Sequence, residues 1–164
     1  MKYWWAAVTL CLMAPAAASD VSDAVQQWMG KWPAIPFNRQ ASGMPQSKST
    51  GPDGRTFFQY PGVRAGLEAA IGKARTAVLI GRWHTGGPLS MVERRWATFS
   101  VCMPHNCGNN QAEVFIDMPS GRFNVCWTQG AQSRWLPPAG PAIPSGASRC
   151  NSEVLYQQPT PSGR

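Results

Sequence analysis

SVCMPHNCGNN, residues 100–110, joins two segments of β-type sequence and contains two cysteines and a histidine. Cys102 and Cys107 stand five positions apart. The residues between them are Met103, Pro104, His105 and Asn106. The stretch is compatible with a metal site, a redox pair, a cysteine–histidine catalyst or a small covalently closed loop. These alternatives imply different functions, and the rest of the chain decides among them.

The segments on both sides of this stretch predict an antiparallel sheet. Residues 96–102, 112–117 and 123–128 are rich in aromatic and β-branched side chains, and residues 118–122 contain the Pro and Gly of a hairpin turn. Side chains alternate between the two faces of a strand. We therefore expect one face of the third strand to pack on the core, and Cys126 to lie on the other face. The expected core residues are Phe123, Val125 and Trp127.

Two helices are predicted before the sheet, over residues 20–31 and 61–79, because apolar residues recur there at helical spacing. In the first helix these residues are Val21, Val25, Trp28, Met29 and Trp32. In the second they are Val63, Leu67, Ala70, Ile71, Ala74 and Val78. Gly66 and Gly72 weaken the second helix, and residues 78–80 are also compatible with the start of a strand.

The remaining segments are predicted to be irregular. Residues 33–56 are rich in Pro, Gly, Ser and Gln and predict a long loop with a turn at residues 52–54. Residues 57–60 predict a short strand or a packed edge, and residues 157–164 a frayed tail. The sequence therefore predicts an α+β fold, in which an antiparallel sheet packs against helices and a disulfide-closed loop protrudes between two strands.

The first 18 residues have the features of a secretory signal peptide. Lys2 precedes an apolar run that ends at the small residues Ala16 and Ala18. The run is shorter than the roughly 20 apolar residues of a membrane span. Lipidation of Cys11, inside the run, is the alternative interpretation. We expect an exported periplasmic protein with no membrane insertion, in which residues 19–164 form a single domain.

Cleavage of this segment would leave four cysteines, and an even number in an exported chain predicts two disulfides. A bond between Cys126 and Cys150 would fix the Pro- and Gly-rich segment 137–149 across the sheet. The other bond would close the loop between Cys102 and Cys107.

The cleaved chain would carry 14 basic and 8 acidic residues, a net charge of +6. Only Arg94 and Arg95 are adjacent, and the other basic residues are scattered singly. We interpret the excess positive charge as a contribution to solubility and predict no nucleic-acid site.

The spacing of the cysteines and the expected export of the protein reduce the number of alternatives for the loop. A structural zinc site needs four ligands, typically in closely spaced pairs, and Cys126 and Cys150 lack that spacing. A thioredoxin-type centre has two residues between its cysteines, and a catalytic cysteine needs a free thiol. We therefore predict no metal, no cofactor and no enzymatic activity. The residues alone leave open whether His105 is an idle surface residue or a probe for a cleft in a partner.

The loop and the strand after it resemble a known family. The segment from Cys102 to Cys107, followed by Gly108 and an Ala-Glu-Val-Phe-Ile strand, is similar to the C-K-P-H-D-C loop of the Ivy family of periplasmic lysozyme inhibitors. The similarity covers residues 96–128, and Trp83 with the Gly-Gly after it resembles an upstream feature of the family. The resemblance implies an exported α+β fold whose loop enters the lysozyme cleft, where the loop histidine meets the catalytic carboxylates. It also allows a homodimer.

Two charges of the family's loop are absent here, because Met103 replaces its Lys and Asn106 replaces its Asp. The resemblance implies a lysozyme or related muramidase as partner: a host c-type lysozyme, a phage enzyme or an endogenous lytic transglycosylase. Animal lysozymes are basic, as this chain is, so long-range steering between them would be repulsive. The alternative hypothesis is a non-inhibitory envelope module that binds peptidoglycan or an envelope protein.

Overall fold

The computed structural model describes residues 16–33, 51–83, 85–143 and 147–151. The helices are α1 (Ala16–Trp28) and α2 (Pro61–Arg82), and short 3₁₀ helices span Phe57–Gln59 and Arg149–Asn151. The strands are β1 (Thr85–Gly86), β2 (Ser90–Val92), β3 (Trp96–Cys102), β4 (Asn110–Asp117), β5 (Arg122–Gln129) and β6 (Gln132–Leu136). Within the described ranges, neither helix combines the length and apolar composition that a bilayer crossing requires.

The strands form one antiparallel sheet in the order β1-β3-β4-β5-β6, and β2 pairs with β3 beside β1. In the central hairpin, Trp96 pairs with Asp117 and Cys102 pairs with Gln111. This register places residues 103–109 at one end of the sheet, and the β2–β3 and β4–β5 turns at the other end. The predicted α+β class, with an antiparallel sheet and a disulfide-closed loop between two strands, is confirmed.

The core lies between one face of the sheet and the two helices. Phe99, Val114 and Val125 are buried on that face, and Trp28 and Leu67 are buried on the helices. Phe123 and Trp127 belong to the same cluster, as the alternation in β5 predicts. Cys126 is fully buried on the opposite face, where its disulfide to Cys150 holds the C-terminal segment against the sheet.

The first helix is shifted towards the N-terminus relative to the prediction. It spans Ala16–Trp28, whereas the sequence pattern indicated residues 20–31. Val21, Val25 and Trp28 are buried, but Met29 is 38% exposed and Trp32 is 44% exposed. These last two residues follow the helix, so they do not continue its buried face, and the prediction that they belong to it is wrong.

The second helix keeps its predicted start but changes its buried face at Gly72. Gly72 has φ 79° and ψ 157°, values outside the helical region that glycine adopts without steric cost. Before this kink the buried residues include Leu67 and Ile71, as predicted. After it, Thr76 and Leu79 are buried, whereas Ala74 is exposed. The helical period restarts at the kink, so the prediction that placed Ala74 on the core-facing side is wrong.

Several smaller expectations also change. Residues 57–59 form a 3₁₀ helix and no strand, and Phe57 and Phe58 are buried, as the packed-edge alternative predicts. Residues 78–80 lie inside α2. The turn expected at residues 52–54 is present. The strands β1, β2 and β6 were not predicted. Residues 1–15 of the expected signal peptide, residues 34–50 of the long loop, His84 and the tail 157–164 lie outside the described residues.

Candidate functional site

The loop between β3 and β4 is closed both covalently and by backbone hydrogen bonds. A disulfide joins Cys102 to Cys107, with their Cα atoms 4.9 Å apart. The Met103 N–H donates to the Asn110 carbonyl at 2.9 Å, and the Asn106 N–H donates to the Met103 carbonyl at 3.0 Å. The second of these bonds closes a four-residue turn, so the loop has a defined backbone conformation inside the disulfide ring.

Pro104 and His105 occupy the two central positions of that turn. His105 has φ 61°, in the left-handed region that non-glycine residues seldom adopt. Proline second and a positive φ third are the features of a type II turn. A residue held in this region costs about 1 kcal/mol or more and persists only where its surroundings fix it. Here the disulfide and the two hydrogen bonds fix it, so the backbone that carries the imidazole is held in place.

Exposure within the loop is uneven. Met103 is 45% exposed, and His105 is also exposed. Cys102 is buried, while Pro104 and Asn106 are partly buried. The ring therefore presents an imidazole and a thioether to solvent and keeps its covalent closure against the sheet. Asn106, between His105 and Cys107, is more enclosed than Met103 and His105.

The C-terminal segment supports the base of the loop. The Arg149 backbone N–H donates to Oε2 of Glu113 at 3.0 Å, and its guanidinium donates to the Gly108 carbonyl at 3.4 Å. The neighbouring Cys150 is bonded to Cys126, which is the second pairing expected from the sequence. Residues 36 and 41 positions apart are thus brought together. Arg149 and Glu113 were not predicted to belong to the site, because only their position after folding connects them to the loop.

The loop also forms one wall of a cleft of about 720 Å³. The opposite wall is the C-terminal part of α2, including Arg75 and Arg82. Trp83 and Trp127 line the cleft and stack on each other, with ring centroids 4.4 Å apart and planes 26° apart. Trp127 is a predicted core residue, and Trp83 was identified only as part of the family resemblance. No sequence pattern predicts that these residues and the loop share a cleft.

Metal binding by thiolates and nucleophilic catalysis, two of the alternatives for the loop, both require free thiols. Both cysteine pairs are oxidised, so neither pair supplies a thiol for metal binding or nucleophilic attack. No group of three or more His, Cys, Asp or Glu residues with metal-binding geometry occurs in the described ranges. What the loop presents is an exposed imidazole on a closed turn, and an imidazole can donate or accept hydrogen bonds.

The clearest electrostatic pair lies at the far end of the sheet. Hydrogen bonding from the Arg95 guanidinium, 2.8 Å away, holds the pKa of the Asp117 carboxyl below its usual value, and the Ser120 hydroxyl donates to the same carboxyl at 2.6 Å. This pair joins the β2–β3 turn to the end of β4. It stabilises the end of the central hairpin that is remote from the loop.

A model of the family described as "Inhibitor of vertebrate lysozyme (Ivy)" matches residues 62–150. No curated protein and no solved structure matches the chain. The matched region begins in α2, includes the sheet and the closed loop, and ends at Cys150. Because the match spans more than half of the chain and contains both disulfides, the protein belongs to the Ivy family.

Proposed function

We propose that the protein is an exported, periplasmic inhibitor of lysozyme-type muramidases, and that its closed loop inserts His105 into the catalytic cleft of the enzyme. Membership of a family described as inhibitors of vertebrate lysozyme supports the activity. The observation that carries the mechanism is an exposed histidine on a covalently closed turn, held at φ 61°. A homodimer, which the resemblance also allows, stays a prediction.

Preorganisation is the first physical argument for insertion of this loop. A flexible loop must lose conformational freedom when it enters a cleft, and that loss weakens binding. Here the disulfide closes a ring of six residues, which corresponds to about 2.2 kcal/mol of closure entropy in the chain-entropy relation. Because that entropy is lost during folding, it does not have to be lost again on association with an enzyme.

The chemistry of the target is the second argument. Glycosidases of this type place an acid and a carboxylate on either side of the scissile bond. An imidazole inserted between them can donate an N–H to the ionised carboxylate and can bond the other group, and hydrogen bonds to charged groups are the stronger class. The loop would then occupy the space of the substrate. Inhibition would need no covalent step, which agrees with the oxidised state of the four cysteines.

A panel of muramidases with a loop variant tests this proposal. Lysis of cell-wall substrate is measured with wild-type protein, with His105→Ala and with Asn109→Ala, a matched control just outside the disulfide ring. Loss of a charge-assisted hydrogen bond of about 1.5–3 kcal/mol predicts inhibition about 10- to 100-fold weaker for His105→Ala. Asn109→Ala should inhibit as wild type does.

Two outcomes would reject the proposal. One is a panel in which no muramidase is slowed by the wild-type protein. The other is a His105→Ala variant that inhibits as strongly as wild type. If the protein inhibits nothing but is retained on purified sacculi at low salt and released by moderate salt, the envelope-binding alternative is correct.

A further inference from the structure

The cleft beside the closed loop lies where a partner that binds the loop would also contact the protein. Met103 and His105 line it on one side, and α2 lines it on the other. A partner that accepts the loop would therefore bring its own surface next to this cleft.

The interior of the cleft is mainly apolar. The stacked Trp83 and Trp127 are both buried, at 5% and 6% exposure, so they form a fixed wall. Val78 adds a small apolar surface on one side, and the exposed Met103 adds a flexible one on the other. A volume of about 720 Å³ is enough for one or two large side chains of a partner. The lining therefore favours an apolar group.

The charge at the cleft has one sign. Arg75 and Arg82 are seven positions apart on α2, with Val78 between them, a spacing that places all three on one side of a helix. No carboxylate lines the cleft among the described residues. The nearest acidic residue on α2, Glu68, pairs with Arg64 at 3.1 Å, and Glu113 in β4 bonds Arg149. The two arginines therefore present positive charge beside an apolar wall.

We propose that this cleft is a second binding site of the inhibitor, which receives a protruding segment of the target enzyme that carries a carboxylate beside a large apolar side chain. The proposal rests on the proposed function, and it names the chemistry of the partner. The apolar side chain packs on Trp83 and Met103, and the carboxylate bonds Arg75 or Arg82. The protein then selects muramidases with an acidic rim and discriminates against basic ones.

Charge reversal on α2 tests the proposal. Arg75→Glu/Arg82→Glu is compared with Lys73→Glu/Arg94→Glu, which changes the net charge by the same amount at exposed positions outside the cleft. Both variants are assayed against an acidic muramidase that wild type inhibits. Electrostatic steering and contact together predict at least tenfold weaker inhibition for the cleft variant, and a change of less than about threefold for the control. The difference should shrink as salt is raised.

A second pair of variants adds a tryptophan ring to α2 without changing charge. Gly81 is an exposed residue of the lining, and a Cβ there meets nothing within 4 Å. Gly81→Trp therefore places a ring in the cleft and should weaken inhibition at least tenfold. Ala65→Trp adds the same ring at an exposed position of α2 outside the cleft and should inhibit as wild type does. Thermal unfolding of each variant confirms that it is folded.

The outcomes separate this proposal from the proposed function. If wild type and His105→Ala behave as predicted but Gly81→Trp still inhibits fully, or if the two charge-reversed variants lose inhibition equally, the second site does not exist and the loop acts alone. If wild type slows no muramidase, the inhibitory function and the second site both fail. Selective loss in the cleft variant and in Gly81→Trp supports the second site.

Discussion

Removal of the Cys102–Cys107 disulfide would show how the energy of ring closure is divided between folding and inhibition. For six residues, the chain-entropy relation gives about 2.2 kcal/mol at 25 °C. In Cys102→Ala/Cys107→Ala the backbone hydrogen bonds of Met103 and Asn106 remain. If they keep the loop closed, the cost appears as a lower free energy of unfolding. If the loop opens, the cost appears on binding, and 2.2 kcal/mol corresponds to about 40-fold weaker inhibition.

The loss of folding stability and the loss of inhibition are linked, because the loop has to be ordered only once, either on folding or on binding. The change in unfolding free energy and the change in inhibition free energy should therefore add to about 2.2 kcal/mol. Each remaining hydrogen bond contributes about 1 kcal/mol net, which is comparable with the closure cost, so we expect both quantities to change. Urea denaturation gives the first quantity, and the inhibition constant against one muramidase gives the second.

The other disulfide supplies the control. Cys126→Ala/Cys150→Ala opens a ring of 25 residues, which corresponds to about 3.5 kcal/mol, on the face of the sheet opposite the helices. It should lower stability more and inhibition less than the loop variant does. The reasoning is refuted if the loop variant changes neither quantity, or if it loses more than about a thousandfold in inhibition while its stability is unchanged. It is also refuted if the Cys126 variant loses more inhibition than the loop variant.

Three further predictions concern the turn, the helix contact and the far end of the sheet. His105→Gly should weaken inhibition at least tenfold. Its free energy of unfolding should be unchanged or raised by up to about 1 kcal/mol, because glycine accepts the positive φ without strain. A destabilised variant would contradict this. Gly66→Ala should lower the free energy of unfolding by about 1–3 kcal/mol, since its Cβ would overlap the ring of Phe123. Helix propensity alone would instead raise the melting temperature, and that result would show that the contact with Phe123 is absent. Asp117→Asn should lower the free energy of unfolding by about 1 kcal/mol at pH 7. The stability of this variant should fall less steeply than that of wild type as the pH is lowered. Arg95 holds the folded-state pKa of Asp117 below its unfolded value near 3.9, so the stabilisation is present above pH 4 and is lost as the pH falls through the folded pKa. Melting curves from pH 2 to 7 measure it, and parallel curves for wild type and variant would exclude the pair as a source of stability.

The parts of the fold that the sequence predicted have strong local signals. The strands β3, β4 and β5 alternate apolar and polar residues over several positions, and each was located to within two residues. The strands β1, β2 and β6 are two, three and five residues long and lack a buried alternating face, so no periodic pattern marks them. Their pairing depends on the central strands, which supply the hydrogen-bond partners.

The kink at Gly72 shows why the helix face could not be read from spacing alone. A periodic pattern assumes a constant rotation of 100° per residue, as in a regular helix with 3.6 residues per turn. One residue at φ 79° breaks that rotation, and the buried positions after it are set by what the sheet offers for packing. The same break decides which side of α2 carries Arg75 and Arg82 towards the cleft.

The closed loop follows from local sequence. The cysteine spacing fixes the size of the ring, Pro104 favours the second position of the turn, and His105 is placed at its tip, all within six residues whose interactions are local. The surroundings of the loop depend on tertiary packing. The two tryptophans, the two arginines of α2 and Arg149 come from segments far apart in the chain, and only packing of the helix and the C-terminal segment on the sheet brings them to one end of the molecule.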